Sequence, residues 1–209
     1  FQGARIEPGE SLSFNQTVGM RTEESGYTAA EEPAYGQNIV GVGGGVCQVS
    51  TALYRLALLG GLEIAERSAA VYPVDYCEIG QEAAVSDQGL DLVLTNNTDA
   101  PLFLVVRVYA ENDGQTMEWQ LIGKENESRF SLVSEVETID APEEPVYVRD
   151  SEGRYATYAD ERIPVSEARP GYRATVSLVD ENGETVRVVS EDTYDAMAQI
   201  VYVGVQQRN

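Results

Sequence analysis

The chain has 209 residues, 35 of them acidic and 14 basic, for a net charge of −21. Such a surface repels phosphate backbones and anionic lipids, so nucleic acid is excluded as a partner; no apolar run approaches the about 18 residues of a membrane span, and a hydrophobic content of 43% describes folded domains. Histidine is absent and cysteine occurs only twice, which removes Ser-His-Asp triads, complete Cys-His dyads and Cys- or His-rich metal sites, so neither a metal nor a cofactor is expected.

In chain order, Phe1-Gln2-Gly3 reads as the remnant of a cleaved tag. A turn at residues 6–10 leads into a short strand over 11–14. Residues 19–45 read as mostly irregular, with Gly19, Gly26, Gly36, Gly41 and the run Gly43-Gly44-Gly45; a loop that long inside a compact domain is usually functional. Val49, Ala52, Leu53, Leu56 and Leu59 form a helical stripe that predicts a helix over 46–59, stopped by Gly60-Gly61. Strands follow at 62–64 and 90–94. A hairpin joins 102–109 to 116–122 around Asn112-Asp113-Gly114. One main helix packed on an antiparallel meander gives an α+β fold class for this part.

Beyond it only strand and turn signals occur. Residues 129–137 alternate, residues 140–145 are an acidic, Pro-rich loop, and 172–179 pairs with 185–189 across Glu181-Asn182-Gly183-Glu184. A last strand covers 200–203. Two domains are expected, one over residues 4–127 and an all-β module over 128–209.

The chemistry concentrates at Gly43-Gly44-Gly45-Val46-Cys47-Gln48-Val49-Ser50-Thr51. A glycine run delivers Cys47 to the first turn of a helix, where free N–H groups and the helix dipole favour a thiolate and could stabilise a tetrahedral oxyanion. Gln48 could add an amide donor. Ser50, Thr51 and Tyr54 follow Cys47 on the same helical face. This is the pattern of a cysteine acyl-transfer enzyme; the competing reading is an inert buried cysteine behind glycines that permit tight packing. Cys77 either packs as a small hydrophobe or pairs with Cys47, closing a loop of about 30 residues and blocking the nucleophile.

Phe14-Asn15-Gln16-Thr17-Val18-Gly19, the glycine-cysteine motif through Tyr54, Gly61-Leu62-Glu63-Ile64-Ala65-Glu66-Arg67, Pro73-Val74-Asp75-Tyr76 and Asn96-Asn97-Thr98 together closely resemble the VanW family. The resemblance covers most of residues 6–123. It implies a protein of Gram-positive glycopeptide (vancomycin) resistance clusters, and for some members L,D-transpeptidation of peptidoglycan with the motif cysteine, here Cys47, as nucleophile. Two departures matter. The family's histidine after the Glu-Arg pair falls at about Ala70, and its later Asp-Ala-Thr-Val stretch is Glu82-Ala83-Ala84-Val85, which leaves Glu82 or Tyr54 as the group that would work with the thiol.

Residues 128–209 resemble a G5 domain through Arg169-Pro170-Gly171, Asn182-Gly183, Val188-Val189-Ser190-Glu191 and Ile200-Val201-Tyr202-Val203-Gly204. That resemblance implies binding to N-acetylglucosamine-containing glycans, with Tyr147, Tyr155, Tyr158 and Tyr172 as stacking platforms or as ordinary strand aromatics. The expected setting is extracellular, in a Gram-positive cell envelope, with anchoring through a segment preceding this stretch. The expected partners are peptidoglycan stem peptides and glycan strands. Two function classes stand: a cysteine acyl-transfer enzyme, and a non-catalytic wall-binding or scaffolding protein that keeps the fold without the chemistry.

Overall fold

The computed structural model describes residues 1–34, 37–111, 114–124 and 129–208. Its elements, in chain order, are β1 (Arg5–Ile6), β2 (Ser11–Ser13), α1 (Phe14–Val18), β3 (Ala29–Ala34), β4 (Gln37–Val42), α2 (Val46–Leu59), β5 (Glu63–Glu66), β6 (Val93–Thr95), β7 (Leu102–Glu111) and β8 (Gly114–Ile122). They continue with β9 (Ser131–Ile139), β10 (Val146–Asp150), β11 (Arg162–Ser166), β12 (Gly171–Val179), β13 (Thr185–Tyr194) and β14 (Ile200–Gly204).

The fold is mostly β, not α+β. Among the described residues the helices hold only 5 and 14 residues against fourteen strands, so one helix serves sheets and does not form a layer of its own. α2 forms where expected, but its buried face is turned from the expected stripe: Leu53 is buried, Val49, Ala52 and Leu56 are half-buried and Leu59 is exposed, while Ser50, Thr51, Tyr54, Ala57 and Leu58 are buried. Apart from Phe14 of α1, the rest of the core is strand or loop. The expected loop at 19–45 contains the antiparallel pair β3–β4, and the strand expected at 11–14 ends at Ser13, whose hydroxyl caps α1 by accepting from Gln16 N at 3.0 Å. Asn112 and Asp113 of the expected hairpin lie outside the described residues.

Two small sheets flank α2: β1-β7-β8 and β2-β6-β5. Between them sits a core of Ile6, Phe14, Leu53, Leu58, Leu62, Leu92, Leu94 and Leu104, all about 1% exposed or less. Phe1 joins this core, 5.1 Å from the Phe14 ring and 5.4 Å from the Trp119 ring, while Gly3 N bonds Leu104 O at 2.9 Å. Phe1-Gln2-Gly3 is therefore packed as part of the fold. The remaining strands form β9-β12-β13 and β10-β14-β11. In the latter sheet β14 lies in the centre, parallel to β10 and antiparallel to β11.

The sheet β9-β12-β13 meets the α2 region closely. Gly80 has φ +90°, and a Cβ there would come within 2.7 Å of Val176 and 3.1 Å of Ala174, so both the turn and the contact require glycine. Arg187 donates to Leu62 O at 3.1 Å and Gln81 to Ser134 Oγ at 3.0 Å.

Candidate active site

The glycine run does what its composition suggests. Gly43 and Gly45 both adopt positive φ, at 93° and 88°, and Gly45 is the residue preceding α2. Gly43 lies against Arg21, where a Cβ would sit 3.2 Å from the Arg21 Cβ. Arg21 is itself buried and fixed by Asp87 at 2.6 Å and by the Asn15 side chain, so a rigid wall holds the turn that aims α2.

Cys47 is the second residue of α2 and half-buried. Its Sγ reaches the Val85 carbonyl at 3.5 Å. Val46, Gln48 and Val49 donate their N–H groups back to Gly43 and Gly45, whereas the Cys47 N–H meets no acceptor among the described residues. A free N–H at the positive end of a helix, beside a thiol, is the arrangement that would hold an oxyanion formed on an attacked carbonyl.

Residues 82–85 run along the first turns of α2. The Ser50 hydroxyl lies 2.5 Å from Ala83 O and 3.0 Å from Cys47 O, and Ala83 N donates to Thr51 Oγ1 at 3.0 Å. Ser50 is thus fully buried and engaged with backbone carbonyls. Tyr54 is also buried, with the Arg67 guanidinium 5.4 Å from its ring centre, and burial pushes its phenol up. Gln48 is exposed and its side chain makes no hydrogen bond among the described residues.

Glu82 belongs to a hydrogen-bond network of its own. Its carboxylate is 0% exposed and accepts from Ala70 N at 3.3 Å, Gly80 N at 3.1 Å and the Tyr194 hydroxyl, with Arg67 Nη2 3.6 Å away. None of its hydrogen-bond partners among the described residues is Cys47. Arg67 also donates to Glu82 O at 2.8 Å and Gly80 O at 3.0 Å, and makes a two-pronged contact with Asp192 at 2.6 and 2.7 Å. Burial, reinforced by the Glu82 carboxylate, pushes the Tyr194 phenol far up, so it stays a donor.

Hydrogen bonds therefore tie Cys47, Ser50 and Thr51 to residues 83–85, and join Glu82, Arg67, Asp192 and Tyr194 in a second network. Ala70, the position of the missing histidine, stands directly at the Glu82 carboxylate. Both cysteines are free thiols in this structure, not joined in the Cys47–Cys77 disulfide considered from the sequence. Burial pushes Cys77 up to about 11, with the Glu82 charge adding to it. Tyr76 is the residue that site reasoning passed over: its phenol is pushed up to about 12 by burial, it hydrogen-bonds Thr51, and it feels the charge of Cys47. It stood in the sequence only as part of a pattern, with nothing to place it near the thiol. No group of three or more His, Cys, Asp or Glu arranged for a metal occurs among the described residues, and no helix is long and apolar enough to cross a membrane.

Comparison with known proteins identifies a family. The family described as VanW like protein matches residues 1–120, a stretch that includes Cys47, Tyr76 and Glu82. An uncharacterized protein YoaR of Bacillus subtilis is 39% identical over 104 residues, which is 50% of this chain and 34% of that protein. The Vancomycin B-type resistance protein VanW of Enterococcus faecalis is 27% identical over 170 residues, 78% of this chain and 58% of that protein. The chain thus spans about one third and under three fifths of these relatives. No solved structure matches.

Proposed function

Because the chain belongs to the family of VanW like proteins, we propose that it works in the bacterial cell envelope on peptidoglycan, with Cys47 as the nucleophile of an L,D-transpeptidase-like acyl transfer. The observation that carries this reading is the Cys47 thiol itself: half-exposed at the start of α2, beside its own unengaged N–H. Sulfur bonds to a stem-peptide carbonyl carbon, and the carbonyl oxygen takes negative charge at that N–H. The C–N bond then breaks and the thiol proton leaves on the departing amine. A second stem's amine displaces the sulfur, an amide forms, and the thiol is restored. Tyr76 stays protonated at neutral pH, so it can donate toward the leaving amine but cannot serve as base. With Glu82 buried and engaged by other groups and no imidazole, turnover is slow.

The name of the Enterococcus relative supports a link to vancomycin resistance. An extracellular, Gram-positive setting follows from the same reading, as does a G5-like, glycan-binding role for residues 128–209 with Tyr147, Tyr155 and Tyr158 exposed. One observation favours the second reading, a non-catalytic wall-binding or scaffolding protein: the Glu82 carboxylate is fully occupied by Arg67, Tyr194 and backbone N–H groups.

Incubation with disaccharide-tetrapeptide stems, followed by mass spectrometry, decides between them. A Cys47 thioester or a crosslinked dimer that Cys47→Ala abolishes is expected. Retention on purified peptidoglycan with no adduct on any stem would leave the scaffolding reading.

A further inference from the structure

The sheet β10-β14-β11 carries a second constellation, independent of Cys47. Arg149 of β10 and Arg162 of β11 are both in register with Val203 of the central strand. Register partners project from the same face of a sheet, so the two guanidinium side chains rise on either side of Val203 from Cα atoms about 10 Å apart. Tyr147, two residues before Arg149 and 59% exposed, stands on that same face. Tyr147, Arg149, Arg162 and Val203 line one open groove of about 460 Å³.

The charge there is anomalous. Acidic residues outnumber basic ones 35 to 14, yet neither arginine has an acidic partner among the described residues. Among the described residues, the single side-chain hydrogen bond made by either is from Arg162 Nη1 to the Asp160 carbonyl, at 3.5 Å. The nearby acids are turned elsewhere: Asp150 accepts from Tyr155 N and Ala156 N, and Asp160 and Glu161 hold Arg208. Two like charges projecting on either side of one valine raise the local positive potential and favour an anion between them.

The geometry points to a binding site for a free carboxylate on a short peptide, its oxygens taken by the Arg149 and Arg162 forks and its flank laid on Tyr147 and Val203. A planar guanidinium matches a carboxylate edge-on with two parallel bonds. The choice of a compact, singly charged ligand comes from the rest of the surface. A polyanion long enough to leave the groove meets a protein of net charge −21, and repulsion acts over the about 8 Å screening length at physiological salt. A terminal carboxylate stays within reach of the two arginines alone.

The test uses the full chain and two matched probes, N-acetyl-Ala-Ala with a free C-terminal carboxylate and the same dipeptide as its C-terminal amide. Titration is followed by the NMR signals of the arginine Nε–H groups and of the β10 and β14 amides. Saturable binding of the acid in the millimolar range is expected, weakened at least about 5-fold by the amide, by Arg149→Gln or by Arg162→Gln. Cys47→Ala should bind as the parent does, which separates this site from the acyl-transfer reading. Both arginines are exposed, and the circular dichroism spectra of the variants check that the fold is kept. Equal binding of acid and amide, no saturation by the acid up to 20-fold above that range, shifts that avoid β10 and β14, or tighter binding of a long polyphosphate would each overturn the proposal.

Discussion

The two sides of residues 82–85 offer opposite chemistry from one short stretch of backbone. Toward α2, the Cys47 thiol makes one weak hydrogen bond among the described residues, 3.5 Å to a carbonyl, and its N–H meets no acceptor there. Toward β13, Glu82 is surrounded by two backbone N–H groups, a phenol and a guanidinium, and that guanidinium is in turn clamped by Asp192. A buried carboxylate persists only when its oxygens are satisfied, so the charged groups here serve cohesion. On the proposed function, reactivity falls to the weakly bonded thiol.

The comparison breaks most sharply at its charged side. Glu82→Ala leaves Arg67 buried with one of its two acids gone, and a loss of about 3–5 kcal/mol in urea unfolding is expected. Cys47→Ala, at a half-exposed thiol, should cost under about 1 kcal/mol in the same measurement. Equal losses would mean that both sides are structural.

Tyr194→Phe sharpens the contrast by removing one hydroxyl and no volume. A hydrogen bond to a charged group contributes about 1.5–3 kcal/mol, and the variant should lose about that much stability. If the 82–85 segment transmits the change, the rate of Cys47 alkylation should shift as well; an unchanged rate would show the two sides to be mechanically separate.

The smallest effect concerns the second thiol. Burial holds Cys77 at about 11 in the folded chain against 9.0 for the free group. The folded state therefore keeps its proton longer than the unfolded state does. The stability this gives is complete below pH 9 and declines as pH rises toward 11. Cys77→Ala should flatten that alkaline decline in unfolding midpoints measured from pH 8 to 11. Iodoacetamide at pH 8 should correspondingly label Cys77 slowly in the folded protein.

Local signals explain what was legible. The stripe and the Gly60-Gly61 stop placed α2 at its observed bounds, and alternation around the Glu181–Glu184 turn placed β12 and β13. The class was misjudged because one strongly periodic helix outweighed many short strands whose patterns are faint. β3 and β4 were hidden by scattered glycines, and β11 by Pro164, which an edge strand tolerates. The place of Cys47, in the first turn of α2 behind glycines of positive φ, was legible from the glycine run and the helical stripe together. The partnership of Glu82 with Tyr194 was not, because no local pattern announces a bond between residues 112 positions apart.

That separation also orders events in time. Arg67 finds Asp192 only after 125 further residues have been made, and Glu82 finds Tyr194 after 112. At ribosomal rates of about 5–20 residues per second, the two charges wait in water for roughly 5–25 s while α2 and its leucines are already available for collapse. Each remains hydrated until its partner emerges, since closing over an unmatched ion is unfavourable. The helix bearing Cys47 therefore acquires its final backing late in synthesis, and the nascent chain passes through a period in which the thiol is present on an unfinished, wetter and more aggregation-exposed scaffold.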